Sequence, residues 1–554
     1  MKTKNLIKSI VFFVLIISIF IICSCGNNAC EHSFSDWETV LQPSCTATGF
    51  SVSKCELCGL SKTNILEKTS HTPKKLDATE PTCQEKGLTE GKICEVCDEI
   101  LEKQDSISKV EHNFENMLCT FCDQPYYSKG LNFFLNEDGK SYSVAKGSCK
   151  ETAVVIPSTY KNLPVVSIGA LAFKDCTNVK SIIIPSSIIS IDSGAFYGCS
   201  SLEKISIPFT GASPSATGSS ASLGYIFGQE EFPDAYSAKQ FYSGNIVKTY
   251  YIPKSLKEIE YTGTNLTYGC FSNCSSVTKI SFTNEITKIP DYAFYGCSSL
   301  EELPFGFEDT LFSIGKKSFM ECESIKKVSL SETVNEIGEC AFARCRNITS
   351  FLVHPDNEVY QSLSGNLYSK DGAHLIQYSP ANTSTSFVVP EAVTHIDMYA
   401  FNLSANLQEI SFAGKISYIG ESAFLGCSAL KAFEMPEDVE NIFNETFLGC
   451  VSLEEITLNN SIITIGAYAF QNCNALKSIT LPSTVQSIGK YAFSKCFALE
   501  YVYIPKSTVY VEEKILWSSP SAVVYCGAKT HPSSGWDGDW NYYDNVVYWN
   551  IVQP

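Results

Sequence analysis

The sequence is poor in the residues that catalysis and nucleic-acid binding most often need. Only seven histidines occur in 554 residues, and the motifs G-x-S-x-G, H-E-x-x-H and G-x-x-x-x-G-K-[ST] are all missing. Positive charge is also scarce, since 41 basic residues stand against 59 acidic ones and the formal net charge is −18. A polyanionic ligand needs the opposite sign. We therefore expect neither an enzyme nor a nucleic-acid-binding protein.

Long apolar runs are confined to the N-terminus. Three lysines precede an almost unbroken apolar run from Ile10 to Ile22. This run is short for a membrane span and is typical of a secretory signal. No second apolar stretch of about 20 residues follows, so we expect an exported chain whose mature part lies outside the membrane.

The apolar run ends in Ile22-Cys23-Ser24-Cys25-Gly26, which resembles a bacterial lipobox. The resemblance implies that Cys25 becomes the first residue of the mature chain and carries the acyl chains that hold it to a membrane at the bacterial cell surface. Cys23 departs from the pattern, which usually has Ala, Ser or Thr at that position. An ordinary cleaved signal and an N-terminal anchor helix are the alternatives.

Cysteine is abundant, with 25 residues, and two units of similar layout lie between residues 30 and 122. A C-x-x-C segment presents two thiolates to one metal, and a third Cys with a His completes a tetrahedral zinc site. We therefore predict two structural zinc sites. Their ligands are Cys45, Cys55, Cys58 and His71 in the first site and Cys83, Cys94, Cys97 and His112 in the second. Cys30, His32, Cys119 and Cys122 remain for a third site that joins the ends.

Disulfides are the alternative for this segment, because exported cysteines usually meet an oxidising environment. Three cysteines per unit fit disulfides badly and fit a set of three Cys and one His well. Either role is structural, since a segment this short builds no sufficient core without staples.

From about residue 140 the chain is periodic. Eleven phenylalanines share one phase, most of them 23 residues apart: Phe173, Phe196, Phe271, Phe294, Phe319, Phe342, Phe401, Phe424, Phe447, Phe470 and Phe493. An aliphatic residue stands five positions before each Phe, and a Cys stands three positions after all but Phe401, where Ser404 replaces it. A coil of this length cannot bury its apolar side alone, so the period predicts a stacked solenoid with parallel strands on one face.

Unit sequences such as that from Leu476 to Cys496 resemble the BspA-like leucine-rich repeats of bacterial surface proteins. The resemblance implies an α/β repeat solenoid with short helical segments, and an adhesin-like protein that binds host, matrix or other cell-surface proteins. A structural spacer or envelope component, or a carbohydrate-binding lipoprotein, are the alternatives.

Equivalent cysteines of stacked coils have parallel Cβ vectors, so we expect buried thiols in the array and not disulfides.

We expect four parts: a signal peptide (1–25), a cysteine-rich segment (26–125), the repeat array (126–505) with insertions near 209–250 and 354–391, and a C-terminal cap (506–554). Composition predicts a flexible loop over 210–222, and Gly after the phased aliphatic residue is expected to supply a permissive turn. The aromatic C-terminus is expected to cap the array, with a sugar- or peptide-stacking patch as the alternative. Candidate partner contacts are Tyr368, Asp371 and Gly372 of an Asp-Gly hairpin, and Tyr501 and Tyr503 on the strand face.

Overall fold

A computed structural model describes residues 32–82, 85–110 and 127–552, together with the backbone at 114–115 and 118–119. The predictions for Cys25, Cys83 and His112 fall outside these residues. The chain divides into two compact units, Met1–Asn113 with Cys119–Asp123, and Phe114–Leu118 with Gln124–Pro554. None of the described residues belongs to a helix long and apolar enough to cross a membrane.

The N-terminal unit consists of short antiparallel strands. Glu38–Leu41, Gly49–Lys54 and Ser61–Leu66 form one sheet, and Pro73–Leu76, Gly91–Cys94 and Ile100–Glu102 form a second. Gly87–Leu88 pairs with Ser106–Ile107. Most of these strands expose both faces, so apolar packing contributes little to holding this unit together.

The C-terminal unit opens with the hairpin Asn132–Leu135 and Tyr142–Ala145 and the short pair Thr159–Tyr160 and Leu163–Ile168. It continues as a solenoid in which most coils carry a longer and a shorter strand. The longer strands are Ala153–Val155, Ser181–Ile183, Lys204–Ile207, Glu258–Tyr261, Lys279–Phe282, Lys327–Leu330, Ser350–Val353, Ser386–Val389, Glu409–Phe412, Ala432–Glu434, Glu455–Thr457, Ser478–Thr480, Tyr501–Ile504, Val523–Cys526 and Val547–Trp549. The shorter strands are Ser190–Ile191, Lys288–Ile289, Ser313–Ile314, Glu336–Ile337, His395–Ile396, Tyr418–Ile419, Asn441–Ile442, Thr464–Ile465, Ser487–Ile488 and Tyr510–Val511.

Strands of successive coils pair in parallel and in register, so each side chain lies above its equivalent in the neighbouring coil. Ile465 aligns with Ile488, for example, and Ile479 with Val502. The phased phenylalanines stack in the same way, with ring centroids 5.4 Å apart for Phe447 and Phe470 and an interplanar angle of 4°. All eleven are at most 3% exposed. The predicted repeat solenoid is therefore confirmed, and its core consists of two clusters of stacked aromatic and aliphatic side chains, one up to Leu367 and one from Tyr368.

The predicted short helical segments are wrong, and the fold class is β rather than α/β. The described residues contain no α-helix, and their only helices are the 3₁₀ turns Gly218–Ala221 and Leu223–Ile226. The segment around each phased Phe is a pair of turns, because a left-handed residue lies two positions before it and another two positions after it. Around Phe470 these are Tyr468 (φ +58°) and Asn472 (φ +62°). A right-handed helix cannot pass through such residues.

The left-handed residues direct backbone groups of the turn toward the next coil. The Phe470 N–H donates to the Ala492 carbonyl at 2.8 Å, and the Tyr468 N–H donates to the Lys490 carbonyl at 2.9 Å. Buried backbone donors need such partners. The turn segments therefore hydrogen-bond from coil to coil, as the strands do on the other sides of the solenoid.

The phased cysteines are hydrogen-bond donors as well as apolar fillers. The Cys473 thiol donates to the carbonyl of Phe447 in the preceding coil at 3.3 Å, and Cys450 donates to Phe424 at 3.2 Å. Burial raises the pKa of the Cys427 thiol to about 12, which keeps such a thiol protonated at neutral pH. Where the next coil lacks Cys, the Ser519 hydroxyl donates to the Phe493 carbonyl at 2.8 Å.

The glycines after the phased aliphatic residue do not supply the permissive turn that the sequence suggests. Neither Gly466 nor Gly489 has a positive φ. A Cβ built on Gly466 would lie 2.5 Å from the Asn444 nitrogen, and one built on Gly489 would lie 2.4 Å from the Ala467 nitrogen. Both nitrogens belong to the backbone of the preceding coil. Glycine is required here because adjacent coils approach closely.

Both predicted insertions extend individual coils. The first contains the long hairpin Ala235–Ser243 and Ile246–Pro253, which composition did not indicate. The 210–222 segment is hydrogen-bonded into the array, since the Ile191 N–H donates to the Ala212 carbonyl at 2.9 Å. The second insertion contains Tyr360–Leu363, Asn366–Ser369 and His374–Gln377, and the predicted hairpin at Asp371-Gly372 is confirmed.

The C-terminal aromatic segment covers the last coil. Trp536 and Trp540 are 8% and 5% exposed, with ring centroids 4.9 Å apart. The Trp536 indole N–H donates to the Thr508 carbonyl at 3.2 Å, and the Ile515 N–H donates to the Trp540 carbonyl at 3.1 Å. These two tryptophans shield the end of the core from solvent.

The close approach of coils makes a prediction at Gly466. Gly466→Ala should destabilise the array by about 1–3 kcal/mol, because the added methyl group forces adjacent backbones apart. Gly169→Ala is the matched control, since nothing lies within 4 Å of a Cβ built there. Urea unfolding of both variants measures the difference, and an equal effect at the two positions would contradict the explanation.

The thiol-to-carbonyl hydrogen bond makes a second prediction. Cys473→Ala removes one of the two donors to the buried Phe447 carbonyl, which also accepts from the Cys450 N–H at 3.1 Å, and should cost about 0.5–1.5 kcal/mol. Cys473→Ser keeps a donor, as Ser519 does naturally, and should cost less. Thermal and urea unfolding of the two variants test the order, and a more stable alanine variant would show that the thiol acts only as an apolar filler.

Candidate functional sites

Both described C-x-x-C segments fold into the same tight turn. The Gly59 N–H donates to the Cys55 carbonyl at 2.8 Å, and the Asp98 N–H donates to the Cys94 carbonyl at 2.9 Å. Gly59 and Asp98 both have left-handed backbone angles, with φ of +75° and +59°. Each turn thus returns on itself, which brings its two thiols to one side.

The segment that begins at each of two histidines hydrogen-bonds to a C-x-x-C turn, whose first Cys lies 23 residues after the histidine. The Glu56 N–H donates to the Ser33 carbonyl, and the Glu95 N–H donates to the Thr72 carbonyl, both at 3.0 Å. His32 and His71 directly precede these two acceptors. The repeating element therefore begins at its histidine, and we call residues 32–70 the first module and residues 71–110 the second module.

The predicted grouping of ligands is wrong, because it places His71 at the end of a unit that it does not belong to. The structure brings together Cys45, His71, Cys94 and Cys97, with all four ligand atoms within 4.8 Å of one another. Cys45 comes from the first module and the other three from the second. The equal spacing of His32 to Cys55 and of His71 to Cys94, 23 residues in each case, is the signal in the sequence that marks this grouping.

Within this cluster, which we call the Cys45 cluster, the contacts are close. The Cys45 and Cys94 sulfurs are 3.6 Å apart, and the Cys97 sulfur lies 3.5 Å from the His71 Nδ1. Cys45 and Cys94 are buried, at 7% and 0% exposure. The other ring nitrogen of His71 lies 3.3 Å from a carboxylate oxygen of Glu99, a residue that the motif search missed.

A second cluster contains His32, Cys55 and Cys58, three groups within the same distance limit. The Cys58 sulfur lies 3.3 Å from the His32 Nδ1. The hydrogen bond with His32 lowers the pKa of the Cys55 thiol to about 6. Burial raises the pKa of Cys94, but hydrogen bonds from the Val96 N–H and His71 outweigh burial and bring it to about 6.

The longer strands of the array direct two rows of side chains outward, those of alternate residues, and we call this surface the open strand face. Along it, equivalent positions of paired strands lie side by side, because the register is conserved. Its described members include Ser181, Lys204, Glu258, Lys279, Lys327, Ser350, Ser386, Glu409, Ala432, Glu455, Ser478, Tyr501 and Val523. These positions mix charges of both signs with small polar residues. Aromatic residues appear at the C-terminal end of the open strand face.

Three tyrosines form a patch at that end, which we call the tyrosine patch: Tyr501, Tyr525 and Tyr548. Ring centroids are 5.9 Å apart for Tyr501 and Tyr525 and 5.6 Å for Tyr525 and Tyr548. Tyr548 is 51% exposed. Sequence reasoning placed Tyr525 and Tyr548 in the C-terminal cap and did not group them with the strand face. Tyr525 is the register partner of Tyr503, 22 residues before it, and Tyr548 follows Tyr525 by 23 residues.

The other predicted contact residues divide by burial. Tyr368 is 3% exposed and packs in the core, and Tyr503 is 5% exposed with its hydroxyl 3.4 Å from the Ile551 carbonyl. Neither side chain is available to a partner, which corrects the expectation for both. Asp371 is exposed and accepts hydrogen bonds from the Ser369 hydroxyl and the Ala373 N–H at the hairpin turn, where Gly372 has a φ of +76°.

Two shallow grooves lie on the open strand face. One, of about 730 Å³, is lined by Glu301, Lys327 and Ser329 among others, and one of about 580 Å³ by Val388, Glu409 and Glu434 among others. Among the described residues that line these grooves there is no histidine or cysteine. The grooves offer carboxylates, hydroxyls and apolar patches, which suit binding better than proton transfer or nucleophilic attack.

Residues 145–263, 234–364 and 381–522 match the family model of the BspA type leucine rich repeat region, in six copies. No curated protein matches the sequence. Among solved structures, a leucine-rich cell surface protein of Faecalibacterium prausnitzii A2-165 is 22% identical, with a TM-score of 0.44 over 76% of this chain and 97% of that one. The pneumococcal vaccine antigen PcpA is 20% identical, with a TM-score of 0.40 over 77% of this chain and 98% of that one. These values are too low to extend any property of those two proteins to this chain.

Proposed function

Because the chain belongs to the family of BspA-type leucine-rich repeat proteins, we propose that it binds other proteins at the bacterial cell surface through its open strand face. The tyrosine patch is the observation that carries this proposal. Tyrosine is enriched at protein interfaces, since its ring supplies apolar contact area at small entropic cost and its hydroxyl a hydrogen bond. A patch of three tyrosine rings on three neighbouring parallel strands is a preformed surface of this kind.

The rest of the open strand face supports binding by carrying mixed charge along the array. Cross-coil ion pairs such as Lys204 with Glu258, 3.3 Å apart, are half exposed. Such pairs add little to stability, so these charges are available to steer and orient a partner. The acidic balance of the whole chain favours a partner with a basic contact surface.

Carbohydrate binding and a purely structural spacer remain the competing functions. Burial of Trp536 and Trp540 removes from solvent the two indole rings that a stacking site for sugars would use first. A spacer needs no exposed aromatic residues, and an uncovered patch of three rings has a cost in solubility. Both observations favour a protein ligand.

We predict that removing the tyrosine patch weakens binding. The chain from Gly26 onward is screened against arrays of matrix proteins, mucins, cell-surface proteins and glycans. For any protein ligand found, Tyr548→Ala and Tyr501→Ala should each raise the dissociation constant at least about tenfold, the effect of an interface hot spot. Titration by biolayer interferometry or calorimetry measures the change.

Tyr543→Ala is the control, because Tyr543 is 46% exposed but does not lie on a strand of the open strand face. It should leave the affinity unchanged. Silence on all protein arrays would overturn the proposed binding role and favour the spacer. Binding to glycans alone would favour the carbohydrate-binding alternative.

We also propose that Cys25 anchors the chain to a membrane through acyl groups. The support is the sequence alone: a basic start, an apolar run and the Cys25-Gly26 junction. In a lipoprotein-processing bacterial host, the wild type should incorporate labelled palmitate and sediment with membranes. Cys25→Ala should do neither, whereas Cys23→Ala should do both, and labelling of the Cys25 variant would contradict the assignment.

A further inference from the structure

We propose that Cys45, His71, Cys94 and Cys97 bind one zinc ion in tetrahedral geometry, and that this ion links the first module to the second. The proposal is independent of the protein-binding function, since the cluster lies in the N-terminal unit and the open strand face lies in the array. It concerns how the N-terminal unit is held together.

The distances in the Cys45 cluster fit a zinc ion. With Zn–S near 2.3 Å and Zn–N near 2.0–2.1 Å, ideal tetrahedral angles require S···S separations of about 3.8 Å and S···N separations of about 3.5–3.6 Å. The observed values are 3.6 Å for Cys45 to Cys94 and 3.5 Å for Cys97 to His71. Three thiols and one imidazole are a common ligand set for structural zinc, and thiolate-rich tetrahedral sites select zinc among divalent metals.

The surroundings of His71 match those of a metal ligand. Its Nδ1 faces the thiols, and its Nε2 lies 3.3 Å from Glu99. Histidines that bind metals usually donate their second ring N–H to a carboxylate, which orients the ring and raises the basicity of the ligating nitrogen. Glu99 follows Cys97 by two residues, so the turn that supplies two thiols also positions the imidazole.

The N-terminal unit needs such a ligand for its stability. Strands Glu38–Leu41 and Ser61–Leu66 expose nearly all their side chains, and the buried positions nearest the cluster are the cysteines themselves. Small domains without a sufficient core depend on metals or disulfides. Zinc binding displaces the thiol protons to solvent. Because the site is assembled only in the folded unit, the free energy of zinc binding stabilises the fold.

Zinc content of paired variants tests the shared site. The chain from Gly26 onward, purified in zinc-containing buffer and freed of loose metal, is analysed by mass spectrometry of the elements. Cys45→Ser and Cys94→Ser should each lose about one zinc per chain, and the double variant should lose no more than either single one. Additive losses would show that the two cysteines serve different ions and would overturn the proposal.

Cobalt substitution tests the ligand set without removing the site. His71→Cys should retain metal and change the Co²⁺ spectrum, with stronger thiolate-to-cobalt absorption from a fourth sulfur. Glu99→Ala should weaken zinc binding by about 10–100-fold, whereas Glu67→Ala, an exposed acid of the first module, should not. An unchanged spectrum for His71→Cys would exclude His71 as a ligand.

The disulfide alternative has its own readout. Non-reducing peptide mapping of the exported protein should find Cys45, Cys94 and Cys97 as alkylatable thiols only after chelation of the metal. A Cys45–Cys94 or Cys94–Cys97 disulfide in that protein would overturn the proposal. Cys340→Ser, which removes a cysteine of the array, is the control. It should leave the zinc content and the mapping of these three cysteines unchanged.

Discussion

The array depends on backbone hydrogen bonds between coils, including those between their turn segments. In many solenoids the strands alone would provide this continuity, but here alternate residues around each phased Phe have left-handed angles and direct their N–H groups to the next coil. The Phe carbonyl of this turn accepts one backbone hydrogen bond within its own coil, as Phe447 does from the Cys450 N–H at 3.1 Å. The phased thiol of the next coil is a second donor to the same carbonyl, and this agrees with the small polar or weakly polar side chains at that buried position.

The same constraint accounts for the close approach that requires glycine at Gly466 and Gly489. Coils held by hydrogen bonds on every side cannot move apart to admit a methyl group. It also explains how the first insertion is tolerated. The inserted segment returns a backbone group to the ladder, as Ala212 does for Ile191. The flanking strands Lys204–Ile207 and Glu258–Tyr261 pair directly, so the open strand face continues past this insertion.

The N-terminal unit gathers thiols and imidazoles where the array stacks apolar side chains. Its strands bury little apolar surface, and the Cys45 cluster takes its side chains from both modules. The zinc ion that we propose there would join the two modules, as stacking joins the coils of the array. In both units a single repeat is incomplete and its neighbour completes it.

The sequence alone determined the repeat, its period and the identity of the core, because Phe, aliphatic and Cys positions keep one phase and only a stacked solenoid buries them together. It also indicated all four residues of the Cys45 cluster as metal ligands, although it divided them between two sites. Only the tertiary structure decided that Cys45 joins Cys94 across the module boundary, that Tyr368 and Tyr503 are buried while Tyr525 and Tyr548 extend the tyrosine patch, and that the Phe segments are turns. The physical reason is common to these cases: periodicity reports which side chains are buried, whereas backbone angles and contacts between repeats depend on how each repeat meets its neighbour.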